Sequence, residues 1–357
     1  MNLKGKHIFL LSTEFWGAHY LSKHHYALAL KELGNEVYFI QPGKEKGAQA
    51  AGESPEGIQL IDFKPSSGQR YLPKTIARKI QAQEWKKIVE IAQHPPDLIW
   101  SFDNSRLFHL DALGNEVKSI HHVVDLNQDF ELAAAASSAD LCLGSTRFIV
   151  DRLKKHQEKS YFLHHGCVAR PCSKKPLSSP IKMAYLGNIL LRFVDRDFLI
   201  QMIAKFPEIE FHFIGGYTQN NLIHEISVED EAFIKTLNKA NKVFLHGSVE
   251  QNKLSNLMEE MDAFFIAYAK AHYEQAANPH KVMELLSTGK AVLSFPIDAF
   301  LDQELLHFAD TRSDFFHLIE DLRQGRLPDR FDQQLAFTAS HSYQAQIAKI
   351  EEWIKHW

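Results

Sequence analysis

Two ionisable residues late in the chain, Lys281 and Glu284, stand one helical turn apart. The segment around them opens with Asn278 and Pro279 and closes at Gly289 before an apolar run, which predicts a capped helix followed by a buried strand. A lysine beside the N-terminal end of a helix favours a phosphate, and a carboxylate one turn later can accept hydrogen bonds from the diol of a ribose. The pair therefore suggests a site for a sugar-nucleotide diphosphate. The alternative is a surface ion pair worth roughly 0.2–0.5 kcal/mol.

A second candidate for chemistry is Asp125, which closes the apolar run that begins at His121. A carboxylate at the end of a buried strand can take the proton from an acceptor hydroxyl, which is the role of a general base. The alternative is that Asp125 caps a helix beginning near Asn127, since aspartate is a preferred N-cap residue. Both interpretations stay open.

Short apolar runs alternate with helical patterns along most of the chain, as in the helix predicted over Leu21–Leu33. The predicted strands are His7–Leu11, Glu36–Ile40, Ile58–Asp62, Asp97–Trp100, Ser119–Val124, Asp140–Leu143, Tyr161–His164, Lys182–Leu186, Ile209–Ile214, Lys242–Leu245, Ala263–Ala267 and Ala291–Phe295. Strand, helix and strand repeated in this way require parallel sheets with right-handed crossovers. The stretch from Gly166 to Pro180 contains three prolines and has the composition of a linker. We therefore expect an α/β chain with two doubly wound domains.

Ligands of such sheets bind at the carboxyl ends of the strands, so the loops at those ends and the cleft between the domains are the places to search. The loop from Ser12 to Gly17 follows the first strand and has no Gly-x-Gly-x-x-Gly fingerprint. This argues against an oxidoreductase that uses a dinucleotide cofactor.

The pattern Asn-Pro-x-Lys-x-x-Glu-Leu-Leu-x-x-Gly-Lys-x-Val, from Asn278 to Val292, resembles the donor-nucleotide motif of GT-B glycosyltransferases. The resemblance implies two Rossmann-like domains that face a cleft, residues 1–170 and 171–338, and a C-terminal helix over 339–357 that packs back on the first domain. Many retaining members carry a further Glu at the position of Ala276. Its absence points towards bacterial polysaccharide-assembly enzymes, distantly the xanthan glucuronosyltransferase, and leaves retention or inversion open.

The resemblance also implies a donor site in the second domain, where Lys281 meets the diphosphate and Glu284 holds the ribose. Gly187 followed by Arg192 resembles the family's glycine loop and basic residue, although Arg192 can equally pair with Asp195 or Asp197. The donor-site residues implied are Lys281, Glu284, Asn278, Arg192, Gly187, Gly215 and His246.

On the acceptor side, an Asp at the position of Asp125 is the presumed base in the xanthan-type enzyme. Gly17, His25 and His165 are expected near the acceptor or in the cleft. Adjacent histidines on a strand point to opposite faces and no His-Glu-x-x-His pattern accompanies them, so neither a metal nor another cofactor is expected. The resemblance agrees, because GT-B enzymes generally need no metal.

Composition sets further limits on this chain of 357 residues, which is long enough for two domains. A formal net charge of -4 argues against general binding of nucleic acid. The first predicted strand, His7–Leu11, is too short for a signal segment or a membrane span, so a cytoplasmic location is expected. The three cysteines, Cys142, Cys167 and Cys172, cannot form a disulfide framework and are expected to be reduced.

Cations alternate with apolar residues between positions 64 and 87. The cations are Lys64, Arg70, Lys74, Arg78, Lys79, Lys86 and Lys87, and the apolar residues are Tyr71, Leu72, Ile76, Ile80 and Trp85. A helix from Lys74 onwards would place apolar side chains beside a cationic face, which suits peripheral contact with an anionic membrane. The alternative is that Ile76, Ile80 and Trp85 pack on the sheet and the lysines are simply solvated.

We therefore expect a glycosyltransferase of the hexosyltransferase type that moves a sugar from a nucleotide-diphosphate sugar to a saccharide or lipid-linked acceptor, in bacterial cell-surface polysaccharide or glycolipid synthesis. Two alternatives stay open. A sugar-nucleotide epimerase or hydrolase of the same architecture would act on the donor alone. A non-catalytic protein would bind the nucleotide sugar without turnover.

Overall fold

A computed structural model of the chain describes residues 1–17, 20–104, 110–113, 117–125, 132–217, 226–269 and 278–357. The chain divides into two compact units. Unit 1 comprises Met1–Gly166 together with His341–Trp357, and unit 2 comprises Cys167–Ser340. The C-terminal segment of the chain is therefore part of unit 1.

The strands of unit 1 are β1 (His7–Leu11), β2 (Glu36–Pro42), β3 (Gly47–Glu53), β4 (Gln59–Lys64), β5 (Leu98–Ser101), β6 (Lys118–Val123), β7 (Leu141–Gly144) and β8 (Ser160–Phe162). They form one sheet in the order β3-β4-β2-β1-β5-β6-β7-β8. The strands run parallel, except that β3 pairs antiparallel with β4 at the edge of the sheet. The ends of β1, β5 and β6 therefore lie side by side at the centre of its carboxyl edge.

The helices of unit 1 are α1 (Ser22–Glu32), α2 (Lys74–Ala92), α3 (Leu132–Ser138), α4 (Arg147–Lys154) and, at the end of the chain, α11 (Tyr343–Trp353). Helix α1 stops before Gly34, whose positive φ of 83° ends the helix in the way that glycine permits. Helix α11 packs on α1, and its residues Ile347 and Ile350 are fully buried with Leu30 in the core. This packing joins the last residues of the chain to the first crossover of unit 1.

Unit 2 has a smaller sheet. Its strands are β9 (Lys182–Leu186), β10 (Glu210–Ile214), β11 (Val243–Gly247), β12 (Ala263–Ile266), β13 (Ala291–Ser294) and β14 (His307–Phe308). They follow the order β11-β10-β9-β12-β13-β14, and their described pairings are all parallel. The helices are α5 (Arg196–Lys205), α6 (Val228–Lys239), α7 (Gln251–Glu260), α8 (His280–Leu286), α9 (Arg312–Arg323) and α10 (Phe331–Ser340). Strand β9 lies next to β10 and β12, so the order reverses there, at the position where doubly wound sheets bind ligands.

Two strands of the structure have no counterpart in the predictions from the sequence. Strand β3 is built from small and polar residues and lacks the β-branched and aromatic residues that mark a strand. Strand β14 has only two residues. The expectation of purely parallel sheets is therefore wrong for β3, which is an antiparallel edge strand added to a parallel sheet.

No helix in the described part of the chain combines the length and the apolar content needed to cross a membrane.

Candidate functional site

The carboxyl edge of the unit 2 sheet is built around two glycines. Gly187 follows β9 with φ of 125°, and Gly215 follows β10 with φ of 145°, both in the region that L side chains rarely adopt. A Cβ on Gly215 would lie 2.3 Å from the carbonyl oxygen of Gly187, which leaves no room for a side chain. The Gly187 N–H donates to the Ile214 carbonyl at 2.7 Å, and the Gly215 N–H donates to the Gly247 carbonyl at 2.9 Å. Bare backbone is therefore exposed to any ligand at this edge.

Lys281 brings an ammonium group to this glycine pair. It is the second residue of α8, and its Nζ donates to the Tyr185 hydroxyl at 3.2 Å. The Nζ also lies 4.4 Å from the centre of the Tyr185 ring and 5.2 Å from that of Tyr268, within cation–π range. A Cβ on Gly187 would meet the same Nζ at 2.5 Å. The absence of a side chain at position 187 is thus what lets the ammonium reach the loop.

The electrostatics of this lysine are unusual. Burial lowers the pKa of Lys281 to about 7, and the carboxylate of Glu284 acts in the opposite direction. Burial also raises the pKa of Glu284, while Arg170 and Lys281 oppose that change. Among the described residues, Lys281 has no carboxylate oxygen within 4 Å. An anionic ligand would therefore meet a cation that is short of water and of a carboxylate partner.

The apolar residues of α8 explain why Lys281 and Glu284 share a face. Val282, Met283 and Leu285 are fully buried in the core of unit 2, so the two charged residues between them must lie on the opposite side of the helix. The structure brings Lys281 together with Gly187, and Gly187 with Gly215, while the charge of Glu284 acts on Lys281. Asn278, two residues before the helix, is buried as well.

The other two residues proposed for the donor site lie elsewhere in unit 2. Arg192 is exposed and lines a groove with Asp195 and Asp230 that includes neither Lys281 nor Glu284. Among the described residues, Arg192 does not form the suggested pair with Asp195. The Asp195 carboxylate instead accepts from Arg312 at 2.8 and 2.9 Å.

His246 lies near the end of the edge strand β11. Its Nε2 is 2.9 Å from Nδ1 of His212, and the two rings are stacked. The structure gives it no contact with Lys281 within the described residues.

A second lysine occupies the corresponding edge of unit 1. Lys23 is the second residue of α1, is 4% exposed and forms an ion pair with Glu14 of the loop after β1. Burial lowers the pKa of Lys23 to about 8, against the effect of the carboxylates of Asp125 and Asp103. Four charged residues from three strand ends and one helix therefore meet at this edge.

Asp125 itself is exposed and lies two residues after the end of β6. Its carbonyl oxygen accepts from Asn104 Nδ2 at 3.2 Å, which ties it to the loop after β5. The expected start of a helix near Asn127 lies outside the described residues, so the choice between a general base and an N-cap stays open.

The remaining residues expected near an acceptor are all in unit 1. His165 is buried, and its Nδ1 lies 3.2 Å from the Ser22 hydroxyl at the start of α1. The ring of His25 stacks on Tyr343 of α11 at 5.0 Å. Gly17 is exposed, and an added Cβ would meet nothing within 4 Å.

Sequence reasoning missed three residues at these edges. Tyr185 and Tyr268 hold the Lys281 ammonium, and Arg170 of the linker faces Glu284. The position of Tyr185 two residues before Gly187 is a signal that was available. Arg170 gave no such signal, because the composition of a linker does not indicate which helix the linker passes.

In the described part of the chain, no three His, Cys, Asp or Glu side chains lie close enough to hold a metal ion. The cysteines are free and buried, and burial raises the pKa of the Cys167 thiol to about 12. A thiolate at this position is therefore disfavoured.

No protein-family model matches this sequence, and no curated protein matches it. Solved structures are nevertheless similar to it over nearly its whole length. A glycosyltransferase from Rickettsia africae ESF-5 has a TM-score of 0.71 at 12% identity and covers 99% of this chain and 100% of its own. Sucrose-phosphate synthase from Thermosynechococcus elongatus has a TM-score of 0.66 at 12% identity, with 98% of each chain covered. Anabaena HepE, in complex with UDP and glucose, has a TM-score of 0.64 at 13% identity, covering 99% of this chain and 100% of its own.

These neighbours have the GT-B architecture, in which both domains are Rossmann-like. The chain therefore has the GT-B fold, as the motif around Lys281 predicted.

Proposed function

We propose that this protein is a glycosyltransferase that moves a sugar from a nucleoside-diphosphate sugar to a hydroxyl acceptor, in bacterial cell-surface polysaccharide or glycolipid synthesis. The observation that carries the proposal is the Lys281 ammonium, which is partly buried, held by Tyr185 and Tyr268 and placed against the bare backbone of Gly187. A diphosphate is the ligand whose charge and size such a site would stabilise.

Donor binding follows from the residues around this ammonium. Lys281 would neutralise the diphosphate, most strongly when the bond to the sugar breaks and negative charge develops on the leaving group. Glu284, one turn later, would accept hydrogen bonds from the ribose. Two of the similar structures support a uracil nucleotide as the first ligand to test, since HepE was determined with UDP-glucose and an Escherichia coli trehalose-6-phosphate protein with UDP-2-fluoro glucose.

Asp125 would accept the proton if the reaction inverts the stereochemistry of the transferred sugar. An exposed carboxylate at a central strand end can accept the proton of the attacking hydroxyl. We further propose that no metal is needed, because the protonated form of Lys281 supplies positive charge where a metal would otherwise neutralise the diphosphate.

Calorimetry with UDP and with uridine tests the donor site. Lys281→Ala should weaken UDP about 10–100-fold, since a hydrogen bond to a charged group contributes roughly 1.5–3 kcal/mol, and should leave uridine unchanged. Glu284→Ala should weaken both ligands, because both contain the ribose. Lys235→Ala, at an exposed position of α6, is the matched control. UDP binding at parental strength in both site variants would remove the proposal.

A donor-only reaction separates transfer from the alternative activities. Incubation of UDP-glucose without acceptor should release little UDP from a transferase. Rapid release of UDP, or an isomerised sugar, would instead favour the hydrolase or epimerase.

We also propose peripheral contact with anionic membrane through the start of α2. Tyr71, Leu72 and Ile76 are 75%, 39% and 47% exposed, an unusual amount for large apolar side chains. Ile76, Lys79 and Lys86 follow helical spacing and are all exposed, so cations flank the apolar residues. The packing alternative holds for Trp85, which is 4% exposed and contacts Phe9.

Sedimentation with vesicles tests this surface. Lys79, Lys86 and Lys87 changed together to Gln should release the protein from phosphatidylglycerol-containing vesicles, because each cation near such a surface contributes about 1 kcal/mol. Arg78 is left in place, since it pairs with Asp111 at 2.6 Å. A triple Gln variant of Lys205, Lys235 and Lys239 in unit 2 controls for net charge. Equal sedimentation of the two triple variants would rule out this surface.

A further inference from the structure

Unit 2 contains a cavity of about 540 Å³ at the amino edge of its sheet. The first residues of three strands line this cavity, Lys182 of β9, Ala291 of β13 and His307 of β14. It therefore lies at the end of the sheet opposite the glycine pair and Lys281. Its volume is within the range of roughly 300–1,000 Å³ that is usual for small-molecule sites.

Most charged side chains that line the cavity are already engaged within the chain. The ion pairs are Lys174–Asp329, Lys175–Glu259 and Lys182–Glu260. The Asp262 carboxylate accepts from the Ser178 N–H at 2.9 Å, and Lys290 donates to the backbone carbonyls of Met258, Glu259 and Met261. A charge that is available to a ligand must therefore come from another residue.

Arg330 supplies that charge. It lines the cavity, and one of its N–H groups donates to the Leu306 carbonyl. Within the described ranges of the chain, its guanidinium has no carboxylate oxygen within 4 Å. A guanidinium can bind a carboxylate or a phosphate through two parallel hydrogen bonds. Arg330 therefore presents a cation to an anionic ligand of the cavity.

Gln334, one helical turn later, supplies a buried hydrogen-bond acceptor. The residue is 0% exposed and lines the cavity, and its Nε2 donates to the Leu305 carbonyl at 2.8 Å. Its Oε1 has no hydrogen-bond partner among the described residues. Rotation of the amide would not help, because Oε1 would then face the Leu305 oxygen, which cannot donate. A buried acceptor without a partner is costly, so a ligand hydroxyl that donates to Oε1 would be favourable.

His307 brings these two residues to one wall of the cavity. Gln334 and Arg330 bind the carbonyls of Leu305 and Leu306, the two residues directly before His307. The His307 side chain is 4% exposed, and its ring forms no hydrogen bond with any described residue. Burial, and then the charge of Arg330, lower the pKa of His307 to about 4, so the neutral ring offers one N–H donor at pH 7.

We propose that this wall binds a small anion that also carries a hydroxyl group, which is the chemistry of a hydroxylated carboxylate or of the phosphate ester of a polyol. Arg330 binds the anionic group, Gln334 Oε1 accepts from the hydroxyl, and His307 donates to an oxygen of the ligand. The site is independent of the proposed transfer, because none of its lining residues belongs to the donor site.

Calorimetry on the full-length protein tests the site with glycerol 3-phosphate, glycerate and propyl phosphate. Glycerol 3-phosphate should bind about 2–10-fold more tightly than propyl phosphate, which has the same charge and chain length but no hydroxyl for Gln334. Tighter binding of glycerol 3-phosphate than of glycerate would assign a phosphate ester to the site. The reverse order would assign a carboxylate.

Three variants locate the bound anion. Arg330→Gln should weaken the tighter hydroxylated probe about 10–100-fold, because hydrogen bonds to a charged group are lost. Arg326→Gln is the matched control, since Arg326 pairs with Asp321 at 2.5 Å and does not line the cavity. Lys281→Ala should leave the affinity unchanged. Circular dichroism shows whether each variant is folded.

The proposal is overturned if neither hydroxylated probe binds, or if propyl phosphate binds as tightly as glycerol 3-phosphate. It is also overturned if folded Arg330→Gln binds no more weakly than Arg326→Gln. Loss of binding in Lys281→Ala alone would place the anion at the donor edge, which contradicts this site and leaves the proposed function intact. Should Arg330→Gln fail to fold, the comparison of the probes on the parent protein and on Lys281→Ala decides.

Discussion

Each unit places a lysine as the second residue of a helix at the carboxyl edge of its sheet, yet the two lysines have opposite surroundings. Lys23 of unit 1 is buried against carboxylates and pairs directly with Glu14. Lys281 of unit 2 is held by aromatic rings and a hydroxyl, with Glu284 acting only at longer range. A lysine at the same position of the same type of fold can therefore pair with carboxylates of the protein or be left for a ligand. The loop opposite the helix determines the outcome, because it carries carboxylates in unit 1 and glycines in unit 2.

The largest effect is expected from removing the candidate base. Asp125→Asn keeps the shape and any capping, since Asn caps as well as Asp, but removes the proton acceptor. Transfer measured with labelled donor should fall 10²–10⁴-fold if inversion uses this base. The variant should melt like the parent and bind UDP normally. Transfer within a few-fold of the parent would leave the capping role and favour a retaining mechanism without an enzyme base.

Replacing each lysine by Met compares the two edges directly. Lys23→Met removes the buried ammonium that pairs with Glu14, and loss of such a charged interaction costs about 1.5–3 kcal/mol. Lys281→Met removes an ammonium whose burial is unfavourable and should change stability by less than about 1 kcal/mol. Thermal unfolding followed by circular dichroism measures both variants. Equal losses of stability would contradict the distinction between the edges.

A pair of glycine variants tests the opposing loops. Gly215→Ala places a Cβ 2.3 Å from a backbone oxygen at φ of 145°, so it should cost roughly 1–3 kcal/mol and lower the Tm by several degrees. Gly17→Ala, at the edge of unit 1, meets nothing within 4 Å and should change the Tm by about a degree or less. If Gly215→Ala lowers the Tm no more than Gly17→Ala does, the close approach of backbones is not what the unit 2 edge requires.

The smallest effect concerns pH. Because burial lowers the pKa of Lys281 to about 7 from 10.5, its ammonium is lost as the pH rises through 7. A group with this pKa is about half protonated at pH 7 and about one-tenth at pH 8, so UDP affinity by calorimetry should fall about fivefold. The folded protein becomes more stable over this window, since the unfolded chain binds the extra proton, so weaker binding is not unfolding. Lys281→Met should bind UDP weakly at both pH values.

Much of the fold could be predicted because apolar runs of four to six residues mark buried strands. The predicted β1 and β9 match the structure residue for residue, and the helix over Leu21–Leu33 differs from α1 by one residue at each end. Strand β3 could not be predicted, because its residues are small and polar and it forms only by pairing with β4.

The candidate sites divide in the same way. Lys281 and Glu284 could be placed together because helical spacing fixes their common face. Lys23 could be read as a solvated residue of the first turn, since nothing local indicates burial. Lys23 becomes buried only when β5 and β6 bring Asp103 and Asp125 beside it. A local sequence pattern does not indicate the order of the strands in a sheet, so this burial could not be predicted.

Strand β3 has a consequence for how copies of the protein meet one another. It forms the outermost strand of the longer sheet, and Gly, Ala, Gln and Glu are its only residue types. A neighbouring copy that tried to extend the sheet from this side would gain backbone hydrogen bonds but bury little apolar surface, and the charged Glu53 would stand in the way. The small and polar residues that made β3 unpredictable from the sequence therefore protect the protein from aggregation through this edge.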